Sequence, residues 1–494
     1  MNIINFDDVC YTYPRGEKPA LDGINFSVTE GEFLAVMGEN GSGKTTLCKL
    51  INGIIPHLFG GKLSGKVIVD GCDTGSSSVP ELSFKAGIVL DDPEAQLFTS
   101  SVRNEAAFGP ENICLPPEEI EERVKFALTA VGLNGFEERI PGTLSGGEKQ
   151  RLSIAASLSM KSRILVLDEP LCRLDPDGAA QVMSVLNDIR KNHCITIVMA
   201  SHNSEMIAEY AGRVCILKNG RIAALDTVKN IFANRKLLIE NGIKPLADSR
   251  RSYNEYFALF KRESFAITEE TQVSPVIEIK NLFFKYPNGS SIENINLSIF
   301  ENDFIALAGN NGGGKTTLFK IITGLLRPSS GDVFIRGKNA KKLSVSEISK
   351  DIGFVMQSCD NQLFTDSVFK EVSFALKNMR LPKTEIKKRA DEALAAAGLR
   401  DADAFPHALS RPDRVKTVIA CVLAMGTRII LFDEIDAGND YKSSLEIMNI
   451  AAKLHSKGCT VIFVTHNMDL ASEYAKRLVK MERNGIVFDG RRNG

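Results

Sequence analysis

The sequence predicts an α/β protein of two similar domains, each built on a mainly parallel sheet with helices on both faces. Several short segments occur twice along the 494 residues, in the same order and at a nearly constant separation. Each copy also contains short apolar, β-prone runs that alternate with longer segments of helical periodicity. A chain of this length exceeds what a single core usually supports, so two domains are expected.

The repeat consists of four kinds of segment: a glycine loop, an Asp-Glu strand end, a histidine strand end and a QLF segment. They lie at 38–46 and 309–317, at 165–170 and 431–436, at 200–203 and 464–467, and at 95–109 and 361–375. Each segment recurs after about 264–271 residues. A repeat of this length indicates duplicated domains rather than the units of about 20–50 residues found in solenoids.

The domain boundaries follow from the repeat. The first domain is predicted at 1–227, and the second at 275–494, where VIEIKNLFFKYP repeats the opening segment IINFDDVCYTYP. The segment 228–274 is polar, mixed in charge and lacks every repeated motif. Because VKNIFANRKLLIENG has helical spacing, we interpret this segment as a helical appendage followed by a linker.

Composition excludes several classes of function. Sixty basic and 61 acidic residues give a net charge of −1, which is not typical of a nucleic-acid-binding protein. No apolar run reaches the roughly 18 residues of a membrane span, and the first residues do not resemble a signal peptide. The ten cysteines form no CxxC pair, so we expect neither a zinc site nor a disulfide framework. Cysteines used in this way are typical of a reducing compartment, and we therefore expect a cytosolic chain.

The glycine loops predict phosphate binding. GENGSGKTT and GNNGGGKTT both follow an apolar run and match GxxxxGK[ST], in which backbone N–H groups surround a β-phosphate. We expect Lys44 and Lys315 to reach the phosphate oxygens of ATP, and Thr45 and Thr316 to bind Mg²⁺. The predicted nucleotide-binding residues are Gly38, Asn40, Gly41, Gly43, Lys44, Thr45, Thr46, Gly309, Asn311, Gly312, Gly314, Lys315, Thr316 and Thr317.

Two acidic pairs follow apolar runs at a similar distance after each glycine loop. Asp168 and Asp433 are predicted to hold Mg²⁺ through water, and Glu169 and Glu434 to act as general bases toward the attacking water. A single Asp-Glu pair is often only a strand-end turn. Its recurrence after each glycine loop favours catalysis.

Two histidines end another pair of apolar runs. His202 and His466 occupy equivalent positions in ASHN and VTHN. A lone histidine is usually structural, but an equivalent pair suits a group that senses the γ-phosphate and positions the water.

LSGGEKQR at 144–151 resembles the signature sequence of ATP-binding-cassette (ABC) ATPases. The resemblance covers 1–227 and 275–494. It implies two phosphate-loop NTPase domains, each with a mainly parallel sheet core, an antiparallel β subdomain and an α-helical signature subdomain. It also implies head-to-tail pairing of the two cassettes within the chain, so that Ser145, Gly146 and Gly147 face the ATP held by the other domain.

The same resemblance implies that Tyr13 and Tyr286, each followed by proline, stack on adenine. Either tyrosine could equally be a packed strand residue, and this alternative stays open.

The second signature differs from the first. It reads LSRPD, with Arg411 and Pro412 in place of the two glycines. A helix N-terminus binds phosphate through backbone N–H groups, and proline removes one of them while arginine adds bulk. Because proline is tolerated in the first helical turn, we expect the helix to persist while the phosphate contact is damaged.

The loops before QLF differ as well. Gln357 matches the glutamine that contacts magnesium and water in the family, whereas its counterpart in the first domain is Asp91. Together with head-to-tail pairing, this predicts that the site containing Lys315 hydrolyses ATP and that the site containing Lys44 mainly retains nucleotide. Hydrolysis at both sites stays an alternative. Ile435, where the family has proline, puts the geometry of the following loop in question.

The QLF segments and AFGPEN at 107–112 resemble the energy-coupling-factor, or cobalt-type, importer ATPases. That resemblance implies uptake of a vitamin or a transition-metal ion. It also implies an integral-membrane coupling protein, a small substrate-capture membrane protein and a place at the cytoplasmic face of the cell membrane. Docking would use residues 91–110 and 357–375. The alternative is that Leu97 and Phe98 simply pack in the core.

Three other functions are weighed against this one. A fused monosaccharide-importer ATPase would be similar in length, but we expect no QLF-FGPEN pattern in it. A two-cassette translation factor would carry a longer, more charged linker. A DNA machine would carry a coiled-coil insertion or a zinc motif, and the sequence has neither. The transported substrate is not encoded in this chain.

Overall fold

The computed structural model describes residues 1–14, 16–172, 174–246, 253–262, 274–286, 291–482 and 485–492. They form two compact units, which consist mainly of the residues up to 247 and of the residues after it. Each unit is described by itself.

The first unit contains ten strands and eleven helices among its described residues. The strands are β1 Asn2–Thr12, β2 Leu21–Thr29, β3 Phe33–Met37, β4 Lys62–Val69, β5 Cys72–Asp73, β6 Ala86–Val89, β7 Ile164–Asp168, β8 Thr196–Ala200, β9 Arg213–Lys218 and β10 Arg221–Thr227. The helices are α1 Lys44–Ile51, α2 Ile54–His57, α3 Val79–Ser83, α4 Pro93–Gln96, α5 Val102–Asn112, α6 Pro117–Ala130, α7 Gly146–Leu158, α8 Pro176–His193, α9 Ser204–Tyr210, α10 Val228–Ala233 and α11 Arg235–Glu240, with a 3-10 turn at Pro141–Thr143.

The second unit repeats this order. Its described strands are β11 Phe260–Arg262, β12 Ile277–Lys285, β13 Ser291–Ile299, β14 Phe304–Ala308, β15 Ser330–Ile335, β16 Lys338–Asn339, β17 Ile352–Val355, β18 Ile429–Asp433, β19 Thr460–Val464, β20 Arg477–Glu482 and β21 Gly485–Arg492. Its helices are α12 Tyr253–Ala258, α13 Lys315–Ile322, α14 Val345–Asp351, α15 Val368–Asn378, α16 Lys383–Ala397, α17 Arg411–Met425, α18 Tyr441–Ser456 and α19 Met468–Tyr474, with 3-10 turns at Ala340–Lys342, Cys359–Gln362 and Pro406–Ala408.

A mainly parallel sheet forms the core of each unit, as predicted. The strand order is β10-β9-β3-β8-β7-β6 in the first and β11-β21-β20-β14-β19-β18-β17 in the second. All five residues of β3, β7 and β8 are buried, because helices and a second sheet cover both faces. Polar side chains can therefore appear only where these strands end, which places the repeated motifs at one edge of the sheet.

An antiparallel sheet accompanies each core. It has the order β2-β1-β4-β5 in the first unit and β13-β12-β15-β16 in the second. A group of helices lies between β6 and β7 in the chain, and another between β17 and β18. The predicted division into a parallel core, an antiparallel β subdomain and an α-helical subdomain is confirmed in both units.

The appendage contains helix where its spacing predicts it, in α10 and α11, and a further helix, α12, that the spacing did not indicate. It also contains a strand that the sequence did not indicate. Residues of β11 pair antiparallel with β21 and extend the second sheet to seven strands. Phe260 is buried in the core beside this edge, which explains why three residues suffice to hold the strand in place.

Within the described ranges, no helix has both the length and the apolar character required to cross a lipid bilayer.

Candidate active sites

Each phosphate loop closes around a buried lysine. The Lys44 ammonium donates hydrogen bonds to the carbonyl oxygens of Gly38 and Glu39, both at 3.0 Å. Lys315 does the same toward Gly309 at 2.8 Å and Asn310 at 3.0 Å. A buried ammonium that donates to backbone carbonyl oxygens of its own loop is well placed to meet an anion bound in that loop. This observation fits a bound triphosphate.

Gly309 shows why the loop needs glycine at its first position. Its φ is +143°, and a Cβ built there would lie 2.0 Å from the carbonyl oxygen of Met481. The strand that carries Met481 therefore packs directly against the loop backbone, and a side chain at this position would push the two apart.

An aspartate at the end of β18 contacts the phosphate loop. The Thr316 hydroxyl donates to Asp433 Oδ1 at 3.2 Å, and burial raises the pKa of Asp433 to about 6. In the first unit burial likewise raises the pKa of Asp168, against a hydrogen bond from Thr45. Asp168 Oδ1 is buried without a hydrogen-bond partner among the described residues. A threonine hydroxyl beside such a carboxylate fits Mg²⁺, which keeps most of its ligands as water and phosphate oxygens.

Among the described residues, no three histidine, cysteine or acidic side chains cluster as a metal site of their own. The residues predicted to bind Mg²⁺ are Thr45 with Asp168 in the first unit, and Thr316 with Gln357 and Asp433 in the second. Mg²⁺ at either predicted site would take its remaining ligands from nucleotide phosphates and water.

Glu434 lies in a complete hydrogen-bonded arrangement. Gln357 donates its side-chain amide to Oε2 at 2.5 Å, and His466 Nε2 lies 3.1 Å from Oε1. Burial alone would raise the pKa of Glu434, but the bond and charge of His466, the charge of Lys315 and the bond from Gln357 together lower it. Glu434 is thus held as a charged carboxylate.

The carboxylate of Glu169 has weaker hydrogen-bond partners than that of Glu434. The backbone N–H of His202 donates to Oε2 at 3.3 Å, while His202 Nε2 lies 2.8 Å from Asn40 Oδ1 and 3.2 Å from Glu169 Oε1. Burial raises the pKa of Glu169 to about 7, with Lys44 acting in the opposite direction. The two glutamates hold equivalent places but differ in their partners.

Both glutamates share an unusual backbone. The φ of Glu169 is +49° and that of Glu434 is +48°, in the left-handed region that non-glycine residues rarely adopt. Such strain is typical of functional positions, where it directs a side chain that ordinary strand geometry would turn away.

Asp91 does not reproduce the contact of Gln357. Its side chain is exposed, and its carbonyl oxygen accepts a weak hydrogen bond from the Cys172 thiol at 3.9 Å. A carboxylate cannot donate to Glu169 as the Gln357 amide donates to Glu434. Asp91 adds a minor contribution to the raised pKa of Glu169.

Both signature segments open helices. Ser145 caps α7 in a reciprocal arrangement with Glu148. Ser410 accepts the backbone N–H of Asp413 at 3.4 Å and donates its hydroxyl to Asp413 Oδ2 at 2.8 Å. The prediction that the helix persists despite Pro412 is confirmed, because proline occupies a first-turn position whose N–H needs no intrahelical partner.

The two tyrosines lie beside the phosphate-loop helices. The hydroxyl of Tyr13 is 3.1 Å from Thr46 Oγ1, and that of Tyr286 is 3.2 Å from Thr317 Oγ1. Both rings are half-buried. These contacts bring each ring to the loop, and the adenine role remains a prediction.

The QLF segments contain anchors that sequence reasoning missed. Gln96 accepts the backbone N–H of Leu90 at 2.8 Å, and Gln362 accepts that of Met356 at 2.8 Å. Glu105 and Glu371 are buried and each fixes the turn that follows QLF. Their equivalent places in SVRNE and SVFKE were the available signal.

The core-packing alternative for QLF is only half right. Leu97 packs against the core and Leu363 is buried, but Phe98 is 65% exposed and Phe364 is 63% exposed. The backbone is extended at Leu97, and successive side chains of an extended segment point in opposite directions. The leucine therefore anchors the loop, while the phenylalanine that follows it lies on the surface.

The fold and these sites define two phosphate-loop ATPase domains in one chain. The family model "ABC transporter" matches residues 21–172 and 292–437. The chain therefore belongs to the ABC transporter family, as an ATP-binding subunit with two cassettes and ATPase activity.

Related proteins match over nearly the whole chain. One from Methanosarcina acetivorans, which bears the name of an ABC transporter ATP-binding protein, is 35% identical over 528 aligned residues that cover 99% of this chain and 85% of its own. Another from Caldanaerobacter subterraneus subsp. tengcongensis, with the same kind of name, is 34% identical over 515 aligned residues that cover 98% and 90%.

Among solved structures, cbiO1 from Clostridium perfringens is described as part of the ABC transporter complex cbiONQ. It is 34% identical, with a TM-score of 0.44, and the match covers 48% of this chain and 94% of that one.

Proposed function

We propose that this ATPase energises an importer of the energy-coupling-factor type, which takes up a vitamin or a transition-metal ion. It would dock from the cytoplasmic side on an integral-membrane coupling protein that also holds a small substrate-capture protein. The observation that carries this proposal is a pair of exposed phenylalanines on each of two equivalent, rigidly anchored loops.

The anchoring is the same in both cassettes. Glu105 Oε2 accepts the backbone N–H groups of Phe98 and Thr99, at 3.1 and 2.9 Å, and the Thr99 hydroxyl at 2.8 Å. Glu371 Oε2 accepts the corresponding groups of Phe364 and Thr365 at 3.0, 2.8 and 2.8 Å. A buried carboxylate with three donors fixes its loop firmly, because breaking these bonds would leave a buried charge without partners.

The rings themselves form an apolar surface. Phe98 contacts Phe108 edge to face with centroids 4.8 Å apart, and Phe364 contacts Phe374 in the same way at 4.7 Å. All four rings are at least 43% exposed. Burial of one such ring against a partner contributes about 1.5–3 kcal/mol, so loops fixed with their rings in solvent favour a protein partner.

The second pair borders an apolar groove of about 270 Å³. Leu325, Ile352, Phe364, Phe374, Cys421 and Met425 are among its lining residues. A groove of this kind suits one apolar face of a short amphipathic helix. We assign that helix to a cytoplasmic loop of the coupling protein.

The test is co-purification from membranes with the coupling protein. We expect Phe98→Ala combined with Phe364→Ala to abolish stable association, while ATP binding by the detergent-free chain is retained. Ile239→Ala combined with Val487→Ala, at residues that are also exposed, is the matched control and is expected to leave association intact. Wild-type association in the phenylalanine variant would overturn the docking surface.

The same preparation separates the alternatives. Ribosomes instead of a membrane protein would favour a two-cassette translation factor. A membrane protein of the monosaccharide-importer class would favour that alternative. A coupling protein with a small substrate-capture subunit would support the proposal, and the identity of that subunit would name the transported substrate.

We further propose that the two ATP sites differ, with the domains at 1–227 and 275–494 paired head to tail. In the site that contains Lys315, Glu434 takes a proton from the attacking water while His466 and Gln357 orient its carboxylate. The opposing signature is the glycine-containing Ser145-Gly146-Gly147. Mg²⁺, held by Thr316, Gln357 and Asp433, would neutralise phosphate charge.

The site that contains Lys44 would mainly retain nucleotide. Asp91 supplies no donor to Glu169, and Arg411 and Pro412 stand in the opposing signature. Thr45 and Asp168 would still hold Mg²⁺, and Tyr13 in this site and Tyr286 in the other would stack on adenine.

A further inference from the structure

The first cassette has a longer connection between its phosphate-loop helix and the antiparallel sheet. Thirteen residues separate Gly53 from Val67, whereas eight separate Gly324 from Val333. The two valines hold equivalent places, because each pairs with the strand that opens its antiparallel sheet. The additional residues therefore form an insertion that the second cassette lacks.

The insertion is fixed against the end of β1. The buried Tyr11 donates its hydroxyl to the carbonyl oxygen of Gly60 at 2.7 Å. Gly61 has φ +94°, and a Cβ there would lie 2.5 Å from the carbonyl oxygen of Thr12. Only glycine permits this close approach, which brings the insertion beside Tyr13.

Phe59 is the side chain that this arrangement presents to Tyr13. Its ring centroid lies 6.4 Å from that of Tyr13, with the two planes at 85°. The ring is 46% exposed, and the Lys49 ammonium lies 4.6 Å from its centroid. Since Tyr13 also contacts Thr46 in the first turn after the phosphate loop, the two rings form an open aromatic corner beside the phosphate site.

We propose that Phe59 is a second wall of the base-binding subsite in the first cassette and makes nucleotide binding there depend on the base. A planar base parallel to Tyr13 is perpendicular to Phe59, which is the edge-to-face arrangement that aromatic rings favour. A purine, with two fused rings, reaches further across such a corner than a pyrimidine. The proposal rests on the adenine role of Tyr13 proposed above.

The second cassette offers a different environment. Tyr286 contacts Phe284 near the end of the strand β12 that precedes it, with centroids 4.7 Å apart and planes at 89°. This repeats the contact of Tyr11 with Tyr13 at 4.9 Å and 78°. The counterpart of Phe59 is missing because the connection is shorter. Selectivity for the base therefore belongs to the first site, where nucleotide retention is proposed.

The test uses the full chain carrying Lys315→Ala, so that binding reports mainly on the first site. Equilibrium dialysis with labelled ATP gives the affinity for the nucleotide, and competition by inorganic triphosphate gives the affinity for phosphate without a base. Phe59→Ala is expected to weaken ATP binding about three- to ten-fold and to leave triphosphate competition unchanged. Phe59→Trp, which keeps an aromatic ring, is expected to retain ATP affinity and the preference for ATP over CTP.

The control is Leu58→Ala, at the neighbouring residue of the same loop, which is 70% exposed and is expected to change neither affinity. Unchanged ATP binding in Phe59→Ala, or an equal loss of triphosphate binding, would overturn the inference. If Tyr13→Ala weakens ATP binding while Phe59→Ala does not, only the Phe59 inference fails. If neither variant weakens it, the adenine role of Tyr13 fails as well.

Discussion

Gln357 donates a hydrogen bond from its side-chain amide to the carboxylate of Glu434 at 2.5 Å. The bond joins the loop that precedes QLF to the end of a central strand. The first cassette has no such bond, because Asp91 stands in place of the glutamine and its side chain is exposed. The difference separates two cassettes whose phosphate loops and strand ends are otherwise closely alike.

Replacing the two glutamates separately tests the proposal of one hydrolytic site. We expect Glu434→Gln to reduce ATP turnover by about a hundred-fold or more, because the variant lacks the general base. Glu169→Gln is expected to change turnover by less than about three-fold, or about 0.6 kcal/mol, because the site that contains Lys44 is proposed mainly to retain nucleotide. Steady-state phosphate release measures the turnover of each variant in the otherwise intact chain. Equal losses of turnover in the two variants would contradict the proposal of one hydrolytic site.

A second prediction concerns the contribution of the hydrogen bond between Gln357 and Glu434 to ATP turnover. A hydrogen bond to a charged group contributes about 1.5–3 kcal/mol, so Gln357→Ala is expected to lower turnover by about ten-fold or more. Asp91→Ala is the matched change in the first cassette and is expected to have little effect. A larger loss in Asp91→Ala than in Gln357→Ala would contradict the assignment of hydrolysis to the site with Lys315.

The phosphate loop of the second cassette gives a prediction about stability. Alanine at Gly309 combines a left-handed backbone with a Cβ 2.0 Å from a carbonyl oxygen, so we expect a loss of about 3–5 kcal/mol in the free energy of unfolding. At Gly312 φ is also positive, at +76°, but a Cβ meets no atom within 4 Å. Gly312→Ala should therefore cost only about 1–2 kcal/mol.

Denaturation of the nucleotide-free chain compares the two alanine variants. Nucleotide must be absent because both residues belong to the predicted phosphate loop and ligand binding would stabilise them unequally. Similar denaturation midpoints for the two variants would show that the close approach of Met481 does not constrain the loop.

Two arginines in equivalent strands also differ in their surroundings. Arg477 is fully buried, with its guanidinium 2.7 Å from Asp489, 3.1 Å from Asp303 and 2.9 Å from the carbonyl oxygen of Ser298. Arg477→Met is expected to destabilise the chain by about 3–5 kcal/mol, because two acidic groups would lose their buried partner.

The matched variant is Arg213→Met in the first cassette. Arg213 is 33% exposed and pairs with Glu32 at 2.9 Å, and Glu32 also accepts hydrogen bonds from the backbone N–H and hydroxyl of Thr29, so the expected cost is about 1 kcal/mol. Urea denaturation followed by far-UV circular dichroism measures both. A loss at Arg213 as large as that at Arg477 would contradict the role of burial.

Much of the site was predictable because its residues are local in sequence. The phosphate loops, the acids of β7 and β18 and the histidines after β8 and β19 each follow an apolar strand directly, so strand order alone brings them to one edge of the sheet. The helix behind Pro412 was predictable for a similar reason, since the first turn of a helix tolerates proline.

Other features depend on contacts between distant segments. Exposure of Phe98 and Phe364 depends on which way a short turn faces once Glu105 and Glu371 have fixed it, and the alternation of apolar residues does not reveal this. The strand Phe260–Arg262 was missed because three residues carry no periodicity, and only the edge of β21 gives them a partner.

The sequence by itself therefore determined the duplication, the fold of each cassette and the family, and it predicted the residues that would bind ATP. Each of these depends on short motifs whose chemistry lies within a few consecutive residues. The tertiary structure decided the hydrogen-bond partners of Glu169 and Glu434, the outward position of the QLF phenylalanines and the place of Phe59 beside Tyr13. These depend on distances between segments far apart in the chain, which packing sets and local sequence does not.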